Sequence, residues 1–227
     1  MEQVDIKYLT NRRVPFYQVA SKYIKDGDCV LDIGCGLGDF ADLINKENII
    51  LFDGNPETVE YLTKKGYPKV ILGILPEIPV ADSSVNIVHC SHIFEHLEPT
   101  LLYDSLKEID RILAEKGYLI ISTPLLWSKF YDDLSHVKPY SSYVFKKYMV
   151  FGIKGSTTRS IISNRYKVIE EVERFSLQEE NSNYVITRMN VFTFAIKHIF
   201  RLQRLLLSKI GLKRVEKSGY TLVLQKG

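Results

Sequence analysis

Three glycines at alternate positions, Gly34, Gly36 and Gly38 in the stretch VLDIGCGLGDF, follow directly on an apolar run and are preceded by a carboxylate, Asp32. Glycine costs conformational entropy, so a series of three must supply something that side chains would block. A turn of this kind, between a strand and a helix, lets a ligand approach the backbone and offers it the free N–H groups of the helix start. A second carboxylate, Asp53 in LFDG, ends the next apolar run, and a carboxylate there suits the two neighbouring hydroxyl donors of a ribose. The residues therefore point to an adenosine-containing ligand at the carboxyl ends of parallel strands. The dinucleotide fingerprint G-x-G-x-x-G is not met, because Asp39 stands at its third glycine and the series present is G-x-G-x-G.

A second group of residues can move protons. His92 and His96 flank Glu95 in CSHIFEHL, and His136 follows Asp132 and Asp133 in YDDLSHVKPYS. Histidine titrates near neutral pH, and an adjacent acid pair orients it or raises its pKa, which makes His136 the first candidate for a general base. Its alternative role is to hold its loop by hydrogen-bonding to backbone. His92 is the second candidate.

The elements that must position these groups read as β and α in alternation: CVLDI a strand, FADLINK a helix, NIILFD a strand, PETVEYLTKKG a helix. That order implies a parallel sheet. Asn55 is the expected N-cap of the second helix, with Pro56 at its first position and Gly66 just past its end. Strands are then expected at 69–72, 85–90 and 117–123, with a helix from Pro99 to about Ala114 whose Leu102, Leu106, Ile109 and Leu113 share one face. After Pro124 the periodicity lapses into an aromatic-rich segment. Strands at 165–177 and 219–226 enclose a basic amphipathic helix over 191–210.

In this order, VLDIGCGLG, LFDGNPETVEYL, IPVADSSVNIVHCSHIFEHL and EIDRILAEKGYLIISTP resemble the successive motifs of the class I S-adenosylmethionine-dependent methyltransferases, in the branch that carries an EHL signature. The resemblance spans roughly residues 14–125. It implies an α/β, Rossmann-like, doubly wound, seven-stranded, mostly parallel sheet with the last strand antiparallel, and S-adenosylmethionine as cofactor, released as S-adenosylhomocysteine. It places Gly34, Cys35, Gly36 and Gly38 against the methionine moiety and has Asp32 orient the loop and the amino group. Asp53 takes the ribose hydroxyls, Gly54 and Asn55 flank the adenine, Ile74 and Leu75 contact the adenine ring, and Cys90 and Ser91, with His92, border the transferred methyl. One departure stands out: where the family commonly has an acid for the adenine amino group this chain has Ile74, and Glu77 is the nearest substitute. YDDLSHVKPYS resembles a segment of methyltransferases acting on sugars, glycolipids and secondary metabolites, and should lie over the methyl group.

These readings lead to one domain over 1–227, with substrate-covering insertions at about 124–164 and 176–212. The expected partner is a small-molecule acceptor, methylated on oxygen or nitrogen, with a saccharide, lipid-linked intermediate or secondary metabolite favoured. Two alternatives stay open: a non-catalytic cofactor-binding sensor or scaffold, and an RNA or protein methyltransferase. Nucleic acid is disfavoured because CSHI follows the fourth strand in place of an Asn/Asp-Pro-Pro-aromatic turn, and no Pro-Cys nucleophile is present. His92 and His96 lack a third convergent ligand in the sequence, so no metal is expected; His96 is read as hydrogen-bonding at a helix start and His92 as pocket wall. Arg12, Arg13, Phe16 and Tyr17 either close over the cofactor carboxylate or form an exposed helix face.

Composition adds little: 227 residues, 45% hydrophobic, 25% charged and a net charge of +3 describe an ordinary globular chain. Three cysteines without metal spacing suit a reducing compartment, and no export signal or membrane span is seen, so a cytoplasmic location is expected. The basic helix over 191–210 could touch an anionic membrane surface or pack on the core.

Overall fold

A computed structural model describes residues 5–152, 159–177, 198–199, 202 and 215–227. Most of the expected helix over 191–210 and nearly all of the second insertion therefore lie outside the described residues.

Seven strands form one sheet in the order β3-β2-β1-β4-β5-β7-β6. They are β1 (Val30–Ile33), β2 (Ile49–Asp53), β3 (Val70–Leu72), β4 (Val85–Ser91), β5 (Leu113–Pro124), β6 (Tyr166–Leu177) and β7 (Val215–Lys226). Strands β1 to β5 pair in parallel, whereas β7 runs antiparallel to both of its neighbours, β5 and β6. This is the expected doubly wound sheet with its last strand reversed. Chain order turns back between β1 and β4, and at such a reversal a crevice opens beyond the carboxyl ends of the strands.

Helices α1 (Val14–Ser21), α2 (Asp39–Ile44) and α3 (Pro56–Lys64) contribute to a core on one face, where Tyr17, Ala20, Phe40 and Leu62 pack on β1 and β2. On the other face, α4 (Pro99–Ile112) and α5 (Ser142–Lys146) bury Leu102, Leu106, Ile109 and Phe145. Asn55 caps α3 as its spacing implies, its side chain accepting from the Glu57 N–H at 2.9 Å, with Pro56 in the first turn. The long β5 and β7 exceed the expected spans: β7 extends back to Val215 by pairing with β6, where Leu177 faces Val215, and β5 begins at Leu113 opposite Val85 of β4. No helix among the described residues is long and apolar enough to cross a membrane.

Lys226, only 3% exposed at the end of β7, closes the C-terminus of α4: its Nζ donates to the carbonyls of Asp110 (2.5 Å) and Leu113 (2.8 Å) and pairs with the Asp110 carboxylate at 3.5 Å. Cations suit a helix C-terminus, and buried acceptors stripped of their donor are costly. Lys226→Met, which keeps the stem and removes the charge, is expected to lower stability by about 2 kcal/mol in urea unfolding, with an unchanged m value.

Candidate active site

The glycine turn sits at the end of β1 and is tied to β2: Gly34 N–H donates to the Phe52 carbonyl at 2.8 Å, and Gly36 N–H to Asp53 Oδ2 at 3.0 Å. All three glycines have positive φ, at 68°, 52° and 83°. Their side-chain-free faces differ in use. A Cβ on Gly34 would meet Ile93 at 3.1 Å, and one on Gly38 would strike Leu62 at 2.9 Å, so these two are glycine for packing as well as for φ. A Cβ on Gly36 would meet nothing within 4 Å, which leaves its face open to a ligand. Asp53, partly exposed, accepts the Gly36 and Asn55 N–H groups with one oxygen each and keeps lone pairs for two further donors. An open backbone cradle beside a half-satisfied carboxylate fits the ribose and methionine portions of S-adenosylmethionine.

The remaining expected cofactor residues are distributed along the same edge. Gly54 and Asn55 follow Asp53 and are exposed, while Cys35 is buried in the turn, where burial and the Asp32 and Asp53 carboxylates push its thiol pKa up. Cys90 is wholly buried with its thiol likewise raised, and Ser91 is nearly so. Ile74 is 76% exposed and Leu75 is buried; both line a hollow of about 990 Å³ between the segment after β3 and α4. Exposed Glu77 lines the same hollow, and Gly73, also in its lining, sits close to Gly54 beside Asp53.

Asp32 is 2% exposed, and its Oδ1 lies 2.7 Å from His89 Nδ1, its register partner on β4. The His89 ring stacks on Phe40 at 3.8 Å. Asp32 thus spends one oxygen inside the sheet, locking β1 to β4 beneath the turn. His89 was not singled out in the sequence; its only signal there is a polar residue inside the apolar run VNIVHC.

At the end of β4 the chain turns sharply, with His92 at φ 57°, into the single helical turn Phe94–His96. Arg174 Nη1 donates to His92 Nε2 at 2.8 Å, which puts the ring hydrogen on Nδ1, 3.0 Å from Glu95 Oε1. Both nitrogens of His92 are therefore engaged, and burial lowers its pKa, keeping the ring neutral. Glu95 is fully buried; burial alone would raise its pKa, but His92 outweighs it and the carboxyl lies below its ordinary value. Its Oε2 accepts from Thr123 at 3.1 Å, and Oε1 faces the Nδ1 of His92 at 3.0 Å with no further donor among the described residues. Arg174, 6% exposed over the Phe16 ring at 4.3 Å, is pulled down to about pKa 10 by burial and by Arg13. Phe16 and Tyr17 are core residues, whereas Arg12 and Arg13 are exposed.

The loop carrying His136 is fastened to this turn. The Val137 and Lys138 N–H groups both donate to the Glu95 carbonyl, at 2.8 and 3.1 Å, and His96 Nδ1 lies 3.0 Å from the Ser135 carbonyl. His136 Nδ1 lies 2.5 Å from the Phe130 carbonyl, its ring 5.0 Å from that of His96. Carbonyls only accept, so both rings carry hydrogen on Nδ1 and, when neutral, a lone pair on Nε2. Asp133 reaches His136 Nε2 only at 4.0 Å, and Asp132 and Asp133 are exposed. Glu95, His96 and His136 each bring one donor atom within 4.8 Å of the others. The sequence reads His96 as hydrogen-bonding at a helix start and His92 as pocket wall; the fold groups His96 with Glu95 and with a histidine from beyond β5.

Residues 7–186 match a family profile described as a methyltransferase domain. An uncharacterised protein of Methanocaldococcus jannaschii is 28% identical over 183 residues, covering 77% of this chain and 69% of that protein. A probable S-adenosylmethionine-dependent methyltransferase of Mycolicibacterium smegmatis is 36% identical over 102 residues, 43% of this chain and 38% of that protein. The matched region is a small part of some relatives: it covers 20% of a probable methyltransferase of Arabidopsis thaliana, at 30% identity over 131 residues and 49% of this chain. Among solved structures, a SAM-dependent methyltransferase from Archaeoglobus fulgidus superposes with a TM-score of 0.60 at 21% identity, covering 97% of this chain and 96% of that one, which shows a common fold. With the glycine turn, the strand order and the profile in agreement, the chain belongs to the class I S-adenosylmethionine-dependent methyltransferases.

Proposed function

We propose that the protein transfers a methyl group from S-adenosylmethionine to an oxygen or nitrogen of a small-molecule acceptor, with a hydroxyl on a saccharide, lipid-linked intermediate or secondary metabolite favoured. The observation that carries this reading is the open face of Gly36 beside the half-satisfied Asp53, with imidazole lone pairs mounted one strand away at the end of β4. The cofactor supplies an electrophilic methyl on a sulfonium, and in-line displacement from it needs chiefly alignment. Asp53 holds the ribose, Gly34, Gly36 and Gly38 leave room for the methionine chain, and Asp32 fixes the turn. Gly54 and Asn55 border the adenine, with Ile74 and Leu75 on its apolar side. Cys90 and Ser91 wall the methyl site. His136 assists loss of the acceptor's proton through Nε2, the nitrogen its Phe130 hydrogen bond leaves available. We assign the protein to the cytoplasm, where its substrate would be a soluble or membrane-linked metabolite.

Calorimetric titration with S-adenosylmethionine, S-adenosylhomocysteine and NAD tests the cofactor assignment. The first two are expected to bind and NAD not to; Asp53→Ala should weaken binding at least tenfold, about 1.4 kcal/mol. Gly36→Val is expected to abolish binding while costing about 1–2 kcal/mol of stability from the left-handed backbone. Binding of NAD alone would overturn the reading. Production of S-adenosylhomocysteine should appear with hydroxyl-bearing small molecules, and His136→Gln should lower kcat by about a hundredfold with the cofactor Kd unchanged. Turnover confined to RNA or protein substrates would overturn the acceptor class.

A further inference from the structure

We propose that Glu95, His96 and His136 bind a divalent transition-metal cation, on which the acceptor hydroxyl is activated; this rests on the methyl-transfer reading above only for its catalytic consequence. Three donor atoms of two imidazoles and a carboxylate already converge within 4.8 Å. Ligands about 2.1 Å from one metal at tetrahedral angles stand about 3.4 Å apart, so closure asks for side-chain movement of up to about 1.4 Å. The supporting bonds are those of a metal site. Ligating histidines usually donate their second ring N–H to a carbonyl or carboxylate, which fixes the tautomer and the ring direction. His96 does so to Ser135 and His136 to Phe130, each presenting Nε2 as a lone pair.

The carboxylate supplies the independent observation. Glu95 is fully buried, with Oε2 steadied by Thr123 at 3.1 Å and Oε1 facing the Nδ1 of His92 at 3.0 Å with no further donor among the described residues. A buried carboxylate with so few donors keeps acceptor capacity to spare, and a cation shared with the two imidazoles would use it. Asp133, whose Oδ2 lies 4.0 Å from His136 Nε2, is a second carboxylate at the same spot, on the exposed side. Two imidazoles and a carboxylate with further positions open suit Mn²⁺, Fe²⁺, Co²⁺ or Zn²⁺ better than the all-oxygen preference of Mg²⁺ or Ca²⁺.

The open positions would take the acceptor's hydroxyl. Coordination makes that hydroxyl more acidic, as it does water. Its proton passes to solvent water, its oxygen lone pair forms the new O–CH3 bond, and the C–S bond breaks with its electron pair returning to sulfur. His136 then promotes proton loss as a ligand and does not itself take the proton.

Chelator-treated, cofactor-free protein titrated with Co²⁺, followed by the visible absorption of the ion, and with Mn²⁺, followed by its paramagnetic resonance, tests the site. One equivalent is expected to bind. His96→Gln, His136→Gln and Glu95→Gln should each weaken binding at least tenfold and alter the Co²⁺ bands, while Asp53→Ala should leave binding unchanged. Because Glu95 is buried, the two histidine variants, checked for an unaltered melting profile, carry the decision if Glu95→Gln fails to fold. Absence of saturable binding, or equal binding by wild type and both histidine variants, overturns the proposal. Cation binding in a protein that binds no adenosyl ligand would sink the methyl-transfer reading alone; adenosyl-ligand binding without cation binding would sink this one alone.

Discussion

The pairing of β1 with β4 is the constraint on which the site depends. Neither strand is adjacent to the other in sequence, and a parallel pair of this kind must be assembled across intervening helices and strands. Hydrophobic burial drives the assembly, since every residue of β1 is buried, but burial alone does not fix register. The Asp32–His89 bond at 2.7 Å does, because a slip of one residue would leave an unpaired carboxylate in the interior. With that register set, the glycine turn and the His92 turn come out on the same edge of the sheet. The two halves of the candidate site are thus two consequences of one strand pair.

Much of this was legible in the sequence because the relevant signals are local. Gly34, Gly36 and Gly38 announce a turn that must avoid side chains, Asn55-Pro56 announces a helix start, and the alternation of apolar runs and amphipathic stretches gives a parallel sheet. What stayed hidden is made by long-range contacts between residues of ordinary appearance. His96 and His136 are far apart in the chain, and what brings them together is the pair of N–H groups of Val137 and Lys138 on the Glu95 carbonyl, which no side-chain pattern encodes. His92 and His96, four residues apart around Glu95, diverge for a geometric reason. His92, at positive φ, turns toward Arg174, whereas His96 faces the later loop. Arg174 gave no signal at all within the charged strand EEVERF.

Electrostatics at the end of β4 are correspondingly tight. Arg174, His92 and Glu95 form a buried chain in which a cation donates to a neutral ring whose other N–H faces an anion. Arg174 Nε and Nη2 have no hydrogen-bond partner among the described residues, and a buried unpaired donor calls for an explanation. The arrangement holds the acceptor wall rigid at the expense of stability, since buried ion chains seldom outperform well-packed apolar residues.

The β6–β7 hairpin gives the sheet a socket. Its register brings Leu177 opposite Val215, so the chain leaves and re-enters at one corner, at the end of β6 that shares the polarity of β4 and β5. Closing a longer or shorter connection between two paired ends changes the free energy only slowly with length. Because the ladder from Tyr166↔Lys226 to Leu177↔Val215 is a main-chain one, the corner where β6 ends and β7 begins keeps its place in the sheet whatever side chains the strands carry there.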